Sequence, residues 1–283
     1  MNRRVSGTTK VAAVVGWPIA HSLSPTIHNV GFDSTGVDWT YVALGVHPER
    51  GDTILSSCRA LGIRGLSVTM PFKTVLAAQV ERLDDTCRRL GSLNTISFDD
   101  HGSTTGHSTD GDGLIASLLA SDVEFGAQRL LVLGTGGAGR SVIEAASRSH
   151  PRSLLVSNRT APDRELISSI SSGMAEIVPW DDRSSALREV DIVINCTSIG
   201  MGDDRHLPFD PNAIGPAHVV VELIYHPIRT ALMDAAQTRG ARVVGGLGML
   251  IHQAALQQQI WTGHLPDVEA MTRSALSALG ERR

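Results

Sequence analysis

Apolar positions along the chain fall into short runs separated by stretches with helical spacing. In the first half the runs Val11–Gly16, Trp39–Val46 and Gly65–Thr69 predict strands. Helices are predicted at about Pro25–Ser34, Pro48–Leu61 and Phe72–Leu83. Thr95–Phe98 and Ser103–Gly106 predict a hairpin around Asp99-Asp100-His101-Gly102. A second series of strands is predicted at Leu130–Leu133, Leu154–Ser157, Ala175–Val178, Asp191–Cys196 and Val219–Leu223, with helices between most of them and one more at Thr230–Arg239. The tail from Gly248 is strongly helical. Strand alternating with helix is the mark of an α/β fold built on parallel sheets. No internal repeat or low-complexity linker interrupts it, so the helix after Asp110 is expected to join two lobes.

Composition narrows the picture. In 283 residues, 42% are hydrophobic, enough for a real core, and the net charge is −4. No basic run forms an electrostatic footprint for nucleic acid, Arg282-Arg283 being only a short basic tail. No apolar run is long enough to span a bilayer, and Met1–Lys10 lacks the apolar core of a signal peptide. Cys58, Cys87 and Cys196 have neither disulfide-framework nor zinc spacing, so they are expected to be reduced packing residues in a cytoplasmic protein. The eleven histidines are scattered, and no metal-ligand cluster appears.

Chemistry concentrates at strand ends. Gly134-Thr135-Gly136-Gly137-Ala138-Gly139 follows the strand Leu130–Leu133 and opens a helix at Arg140. This is the context in which G-x-G-x-x-G cradles a pyrophosphate: one glycine for the turn, one for close backbone approach, one for helix packing. An acidic residue at the end of the next strand would favour NAD. The chain has Ser157-Asn158-Arg159-Thr160 there, and the planar fork of Arg159 suits a 2′-phosphate, so NADP is expected.

The first half carries a second constellation. Ser22 and Ser24 alternate before a helix, so in an extended segment both hydroxyls face one side as a carboxylate cradle. Ser24 with Pro25 also reads as an N-cap followed by N1. Ser67 and Thr69 share a strand face. Lys73 falls in the first turn of a helix, where the dipole disfavours a cation, which suggests a reason other than stability. Asp110 stands where a strand gives way to a helix, a position more often an N-cap than a catalyst. Asn94 begins a strand and Gln253 lies in the C-terminal helix. His21, His28 and His252 lie nearby and read as packing or supporting groups.

Taken together, these segments resemble the shikimate dehydrogenase family from Val11 to about Val268. The match includes Gly16–Asn29, Gly65–Lys73, Gly91–Thr95, Gly106–Gly113, the glycine turn, Asn195–Met201, Tyr225-His226-Pro227, Gly246–Gln253 and Trp261-Thr262-Gly263. The resemblance implies a two-lobed α/β protein: an N-terminal substrate lobe (1–109), a Rossmann-type NADP-binding domain (110–245) and C-terminal helices (246–283) returning to the substrate lobe. It implies that Ser22 and Ser24 hold a ring carboxylate, that Thr69, Asn94, Gln253 and Tyr225 contact the ring with Ser67 nearby, and that Lys73 and Asp110 form the catalytic pair. Gly134, Thr135, Gly136, Gly137, Ala138 and Gly139 would cradle the pyrophosphate, and Asn158, Arg159 and Thr160 the adenosine end. Asp85, Leu223, Gly246 and Met249 would lie on the nicotinamide side. The implied reaction is NADP-dependent reduction of 3-dehydroshikimate to shikimate, a step of chorismate and aromatic amino acid biosynthesis.

The chain departs from the family pattern where Ser67 and Ser108 replace a common Asn, Glu222 a common Asp, and Gln258 a common aromatic. These leave ring specificity open between shikimate, quinate and aminoshikimate. A non-catalytic NADP sensor would be expected to lose Lys73 and Asp110, which are both present, and a folate-linked dehydrogenase would not need the Ser22/Ser24 cradle. An exposed edge strand in the first lobe is a candidate for pairing with a second copy as a homodimer.

Overall fold

The structure, a computed structural model, describes residues 5–280, so Met1–Arg4 of the polar N-terminal stretch and the Arg282-Arg283 tail lie outside the described residues. The chain divides into two compact units, Met1–Thr109 with Ile251–Arg283, and Asp110–Leu250.

In the first unit, β1 (Lys10–Gly16) leads to α1 (Ser24–Thr35) and β2 (Trp39–Gly45). A 3-10 turn (Pro48–Thr53), α2 (Ile54–Ala60) and β3 (Ile63–Val68) follow. Next come α3 (Lys73–Ala77), β4 (Arg82–Leu83), α4 (Asp85–Leu90), β5 (Thr95–Phe98) and β6 (Thr104–His107). The sheet runs β2-β1-β3-β5-β6-β4. β1, β2 and β3 are parallel, and β5 is antiparallel to both β3 and β6. Alternation along β1 sends Ala13 and Val15 to one face, with Leu66, Phe72, Leu76 and Ile96, and Ala12 and Val14 to the other, with Phe32, Trp39 and Tyr41.

The predicted helix Phe72–Leu83 stops at Ala77. Its residues are adequate helix formers, but tertiary bonds prevail. Glu81 accepts from both the backbone and the hydroxyl of Thr104, and Arg82 Nε donates to Thr105 Oγ1 at 3.1 Å, so the segment pairs with β6 as the edge strand β4. The predicted helix Pro48–Leu61 likewise begins as a 3-10 turn.

The second unit opens with α5 (Asp110–Leu119), β7 (Arg129–Leu133), α6 (Gly137–Arg148) and β8 (Ser153–Ser157). It continues through α7 (Arg164–Ile170), β9 (Ala175–Ile177), the short α8 (Arg183–Ala186), β10 (Ile192–Asn195), β11 (Val219–Glu222), α9 (Ala231–Thr238) and β12 (Arg242–Val244). Its sheet runs β12-β11-β10-β7-β8-β9, parallel throughout. The order reverses between β7 and β10, the switch point at which doubly wound sheets bind ligands. Leu131, Leu133, Val193, Val220 and Leu232 fill one of its cores. α10 (Gly246–Thr262) begins in this unit, and α11 (Val268–Gly280) packs on α1 in the first. No helix among the described residues is long and apolar enough to cross a membrane. Cys58, Cys87 and Cys196 are free thiols, the first two buried.

Candidate active site

The strand order of the first unit explains why its polar residues converge. Because β5 runs against β3 and β6, the end of β3, the start of β5 and the end of β6 share one edge. Val68 N donates to the Asn94 carbonyl at 2.8 Å, and Asn94 N to the His107 carbonyl at 3.1 Å. Thr69 N donates to Val15 O and Trp17 N to Met70 O, which joins the end of β1 to the same edge. Gly16 is required there, since a Cβ would run into the Thr69 side chain.

Asn94 is buried and bonded on every side. Its Oδ1 accepts from Thr109 N and from Thr95 Oγ1, each at 2.8 Å. Its Nδ2 donates to Thr109 Oγ1 at 2.9 Å and to Gln253 Oε1 at 3.4 Å. Asn94 thereby ties three predicted site segments together and fixes the residue before Asp110. Lys73 is half-buried at the first position of α3, and its carbonyl accepts from Leu93 N at 3.1 Å, next to Asn94.

Ser22 and Ser24 are close, but not through an extended segment. Leu23 is helical in conformation and is itself the N-cap of α1, with Ser24 inside the helix. Ser24 therefore does not cap α1; instead its backbone N–H donates to Ser22 Oγ at 3.2 Å. The bond leaves the Ser22 proton available to an anion.

Asp85 is exposed at the start of α4 and pairs with Arg88 at 2.5 Å, while the neighbouring Asp84 caps the helix. His28, fully buried, stacks on Tyr41 at 4.1 Å and 6°, and burial pushes it down to about 3, so it is a neutral packing group. A cavity of about 330 Å³ opens at the other ends of these strands, beside Lys10, Trp39 and Arg64. Its arginines are already engaged, Arg64 by Asp99 O and Asp100, Arg82 by Thr105 and Asp99.

In the second unit the glycine turn follows β7 at the switch point. Gly134 has φ +99°, and its N–H donates to Ser157 O at 2.8 Å. A Cβ on Gly139 would strike the Gly134 carbonyl, so only glycine lets α6 start there. Gly136 faces open space, with no atom near a Cβ position. The turn thus offers N–H groups and room for a diphosphate. Asn158 locks it: its Oδ1 accepts from Thr135 N at 3.1 Å, and its Nδ2 donates to Thr160 O at 2.7 Å. Arg159 and Thr160 are exposed beside it. Sequence reasoning missed Arg140, whose Nε donates to Thr135 O at 3.1 Å.

Leu223 and Gly246 meet, because a Cβ on Gly246 would collide with the Leu223 carbonyl. Met249 lies one turn further along α10 and is buried. Tyr225 is half-buried in the loop after β11, and Asp110 is buried at the first position of α5. Glu222 is fully buried and accepts from Asn195 Nδ2, Ile224 N and Thr230 Oγ1, yet burial outweighs these bonds and pushes it up to about 7.

A shikimate dehydrogenase (NADP(+)) from Rubrobacter xylanophilus is 38% identical over 98% of this chain and 99% of that protein. The chain belongs to the shikimate dehydrogenase family. Residues 14–96 match the family's substrate binding domain, 117–200 the shikimate/quinate 5-dehydrogenase model, and 246–276 the C-terminal domain model. Within this family the structure is similar to shikimate 5-dehydrogenase from Thermus thermophilus, solved with NADP(H) and shikimate, at 31% identity and TM-score 0.87, covering 95% of this chain and 100% of that one. A quinate dehydrogenase from Corynebacterium glutamicum, solved with NAD, gives 26% identity and TM-score 0.87 over 95% of this chain and 99% of that one.

Proposed function

We propose that this chain is an NADP-dependent shikimate dehydrogenase, an oxidoreductase interconverting 3-dehydroshikimate and shikimate in the cytoplasm. The observation that carries the reading is the pairing of two binding surfaces in one chain. One is an edge of buried, mutually bonded polar side chains at Asn94, and the other an open glycine turn locked by Asn158. The 38% identity to a shikimate dehydrogenase (NADP(+)) over nearly the whole length of both chains supports the same conclusion.

In this reading Ser22 and Ser24 hold the ring carboxylate, and Thr69, Asn94, Gln253 and Tyr225 orient the ring, with Ser67 beside them. The glycine turn and the α6 N-terminus hold the diphosphate through backbone N–H groups, and Arg159 pairs with the 2′-phosphate. Asp85, Leu223, Gly246 and Met249 border the nicotinamide. When bound, NADPH supplies the hydride. Lys73 stabilises the negative charge growing on the ketone oxygen and relays a proton to it, and Asp110 accepts from a neighbouring ring hydroxyl.

The test is absorbance at the NADPH band with shikimate and quinate, each with NADP and with NAD. Fast reduction of NADP by shikimate is expected. Faster turnover of quinate, or preference for NAD, would overturn the substrate or cofactor assignment.

A further inference from the structure

Two buried side chains outside the roles above meet at Ser67. Gln257 lies four residues after Gln253 on α10, hence on the same helix face, and is 1% exposed. Its Nε2 donates to the Asn94 carbonyl at 3.3 Å, and its Oε1 accepts from Ser67 Oγ at 2.6 Å. Tyr41, on β2 and 2% exposed, donates its hydroxyl to Ser67 Oγ at 2.6 Å.

The direction of every proton in this chain of bonds follows from one group. The Asn94 carbonyl can only accept, so the NH₂ end of Gln257 must face it. Gln257 Oε1 can only accept, so the single Ser67 proton points to it. Tyr41 must then be the donor to Ser67. With its proton and one lone pair engaged, Ser67 keeps one lone pair and no proton for any further partner. Reversing one bond would leave buried polar groups facing like groups, so the polarity is enforced.

We infer that Tyr41 and Gln257 are positioning residues that fix Ser67 as a hydrogen-bond acceptor, and that Ser67 selects a ring hydroxyl on the substrate. This rests on the ring-acid reading above. A ketone or carboxylate oxygen at that point would meet a lone pair, whereas a hydroxyl can donate to it.

The test is a double-substitution cycle of Gln257→Ala and Ser67→Ala, on proteins whose folding is checked by thermal melting. Shikimate KM, NADP KM and kcat are measured, with shikimate affinity by calorimetry. Gln257→Ala is expected to raise shikimate KM about three- to tenfold and leave NADP KM and kcat unchanged. In the Ser67→Ala background it should raise shikimate KM no further. If Gln257→Ala does not fold, the near-isosteric Gln257→Met carries the same cycle with Ser67→Ala, since Tyr41 also bonds the Ser24 side chain and its substitution would disturb the carboxylate cradle. Additive effects, an unchanged shikimate KM, or equal weakening of shikimate and NADP would overturn the inference. A wild-type protein that fails to oxidise shikimate would instead overturn the ring-acid reading, and this inference with it.

Discussion

The two units build their candidate sites from different materials. In the first, the edge formed by β1, β3, β5 and β6 is furnished with side chains, each held by another: Ser67 by Tyr41 and Gln257, Asn94 by Thr109, Thr95 and Gln253. In the second, the turn after β7 is mostly backbone, made possible by hydrogen atoms where other residues carry a Cβ. A small ring with several hydroxyls and a carboxylate is recognised by direction and polarity, which side chains supply. A diphosphate is recognised by charge and proximity, which free N–H groups and a helix N-terminus supply. The first kind of site is broken by removing atoms and the second by adding them.

Removing the Lys73 ammonium should have the largest effect. Lys73→Ala is expected to lower kcat by about 10²–10⁴-fold while NADP affinity stays unchanged, as read by rapid-mixing kinetics and calorimetry. An unchanged kcat would remove Lys73 from the chemistry. Arg159→Ala sharpens the comparison, because here a side chain decides the cofactor. KM for NADPH should rise roughly ten- to a hundredfold with little change for NADH, and equal changes for both would sink the assignment. Gly139→Ala adds only a methyl group, yet it would meet the Gly134 carbonyl. NADP affinity should weaken by roughly five- to a hundredfold while shikimate affinity persists, and normal NADP binding would contradict the backbone account.

The smallest effects concern pH and run in opposite directions in the two units. His28 is held neutral, lowered to about 3, so the unfolded chain binds its proton first. Stability is therefore lost as pH falls from about 6.5 toward 3, and His28→Asn should lack this component. Glu222 is raised from 4.5 to about 7, so the native state binds that proton more tightly. Its contribution is full at acid pH and is lost as pH rises from about 4.5 to about 7, and Glu222→Gln should flatten that slope. Hydrogen exchange followed in each unit against pH would separate the two, and slopes of the same sign would contradict the assigned burial effects.

Much of this was legible in the sequence. Glycine spacing after an apolar run marks the turn, and Asn158 and Arg159 follow from their place at the next strand end. The strands of both sheets follow from short apolar runs, continuous where a parallel strand is covered on both faces. The errors arise where distant bonds override local preference. Arg82–Leu83 has helical neighbours, but Thr104 and Thr105 draw it into the sheet. Ser24 resembles an N-cap, but Leu23 already takes helical angles. Tyr41 sits in an apolar strand and reads as core, and nothing local shows that its hydroxyl meets Ser67. Gln257 did leave a signal, a second glutamine four residues after Gln253 on a helix that is otherwise apolar on that side, but its partners lie more than 150 residues away in sequence.

The most direct test of this division of labour is calorimetric titration of shikimate and NADP, separately, into wild type, Ser24→Ala and Arg159→Ala. Ser24→Ala should weaken shikimate alone and Arg159→Ala should weaken NADP alone. If either substitution weakens both ligands equally, the two binding surfaces are not the separate devices described.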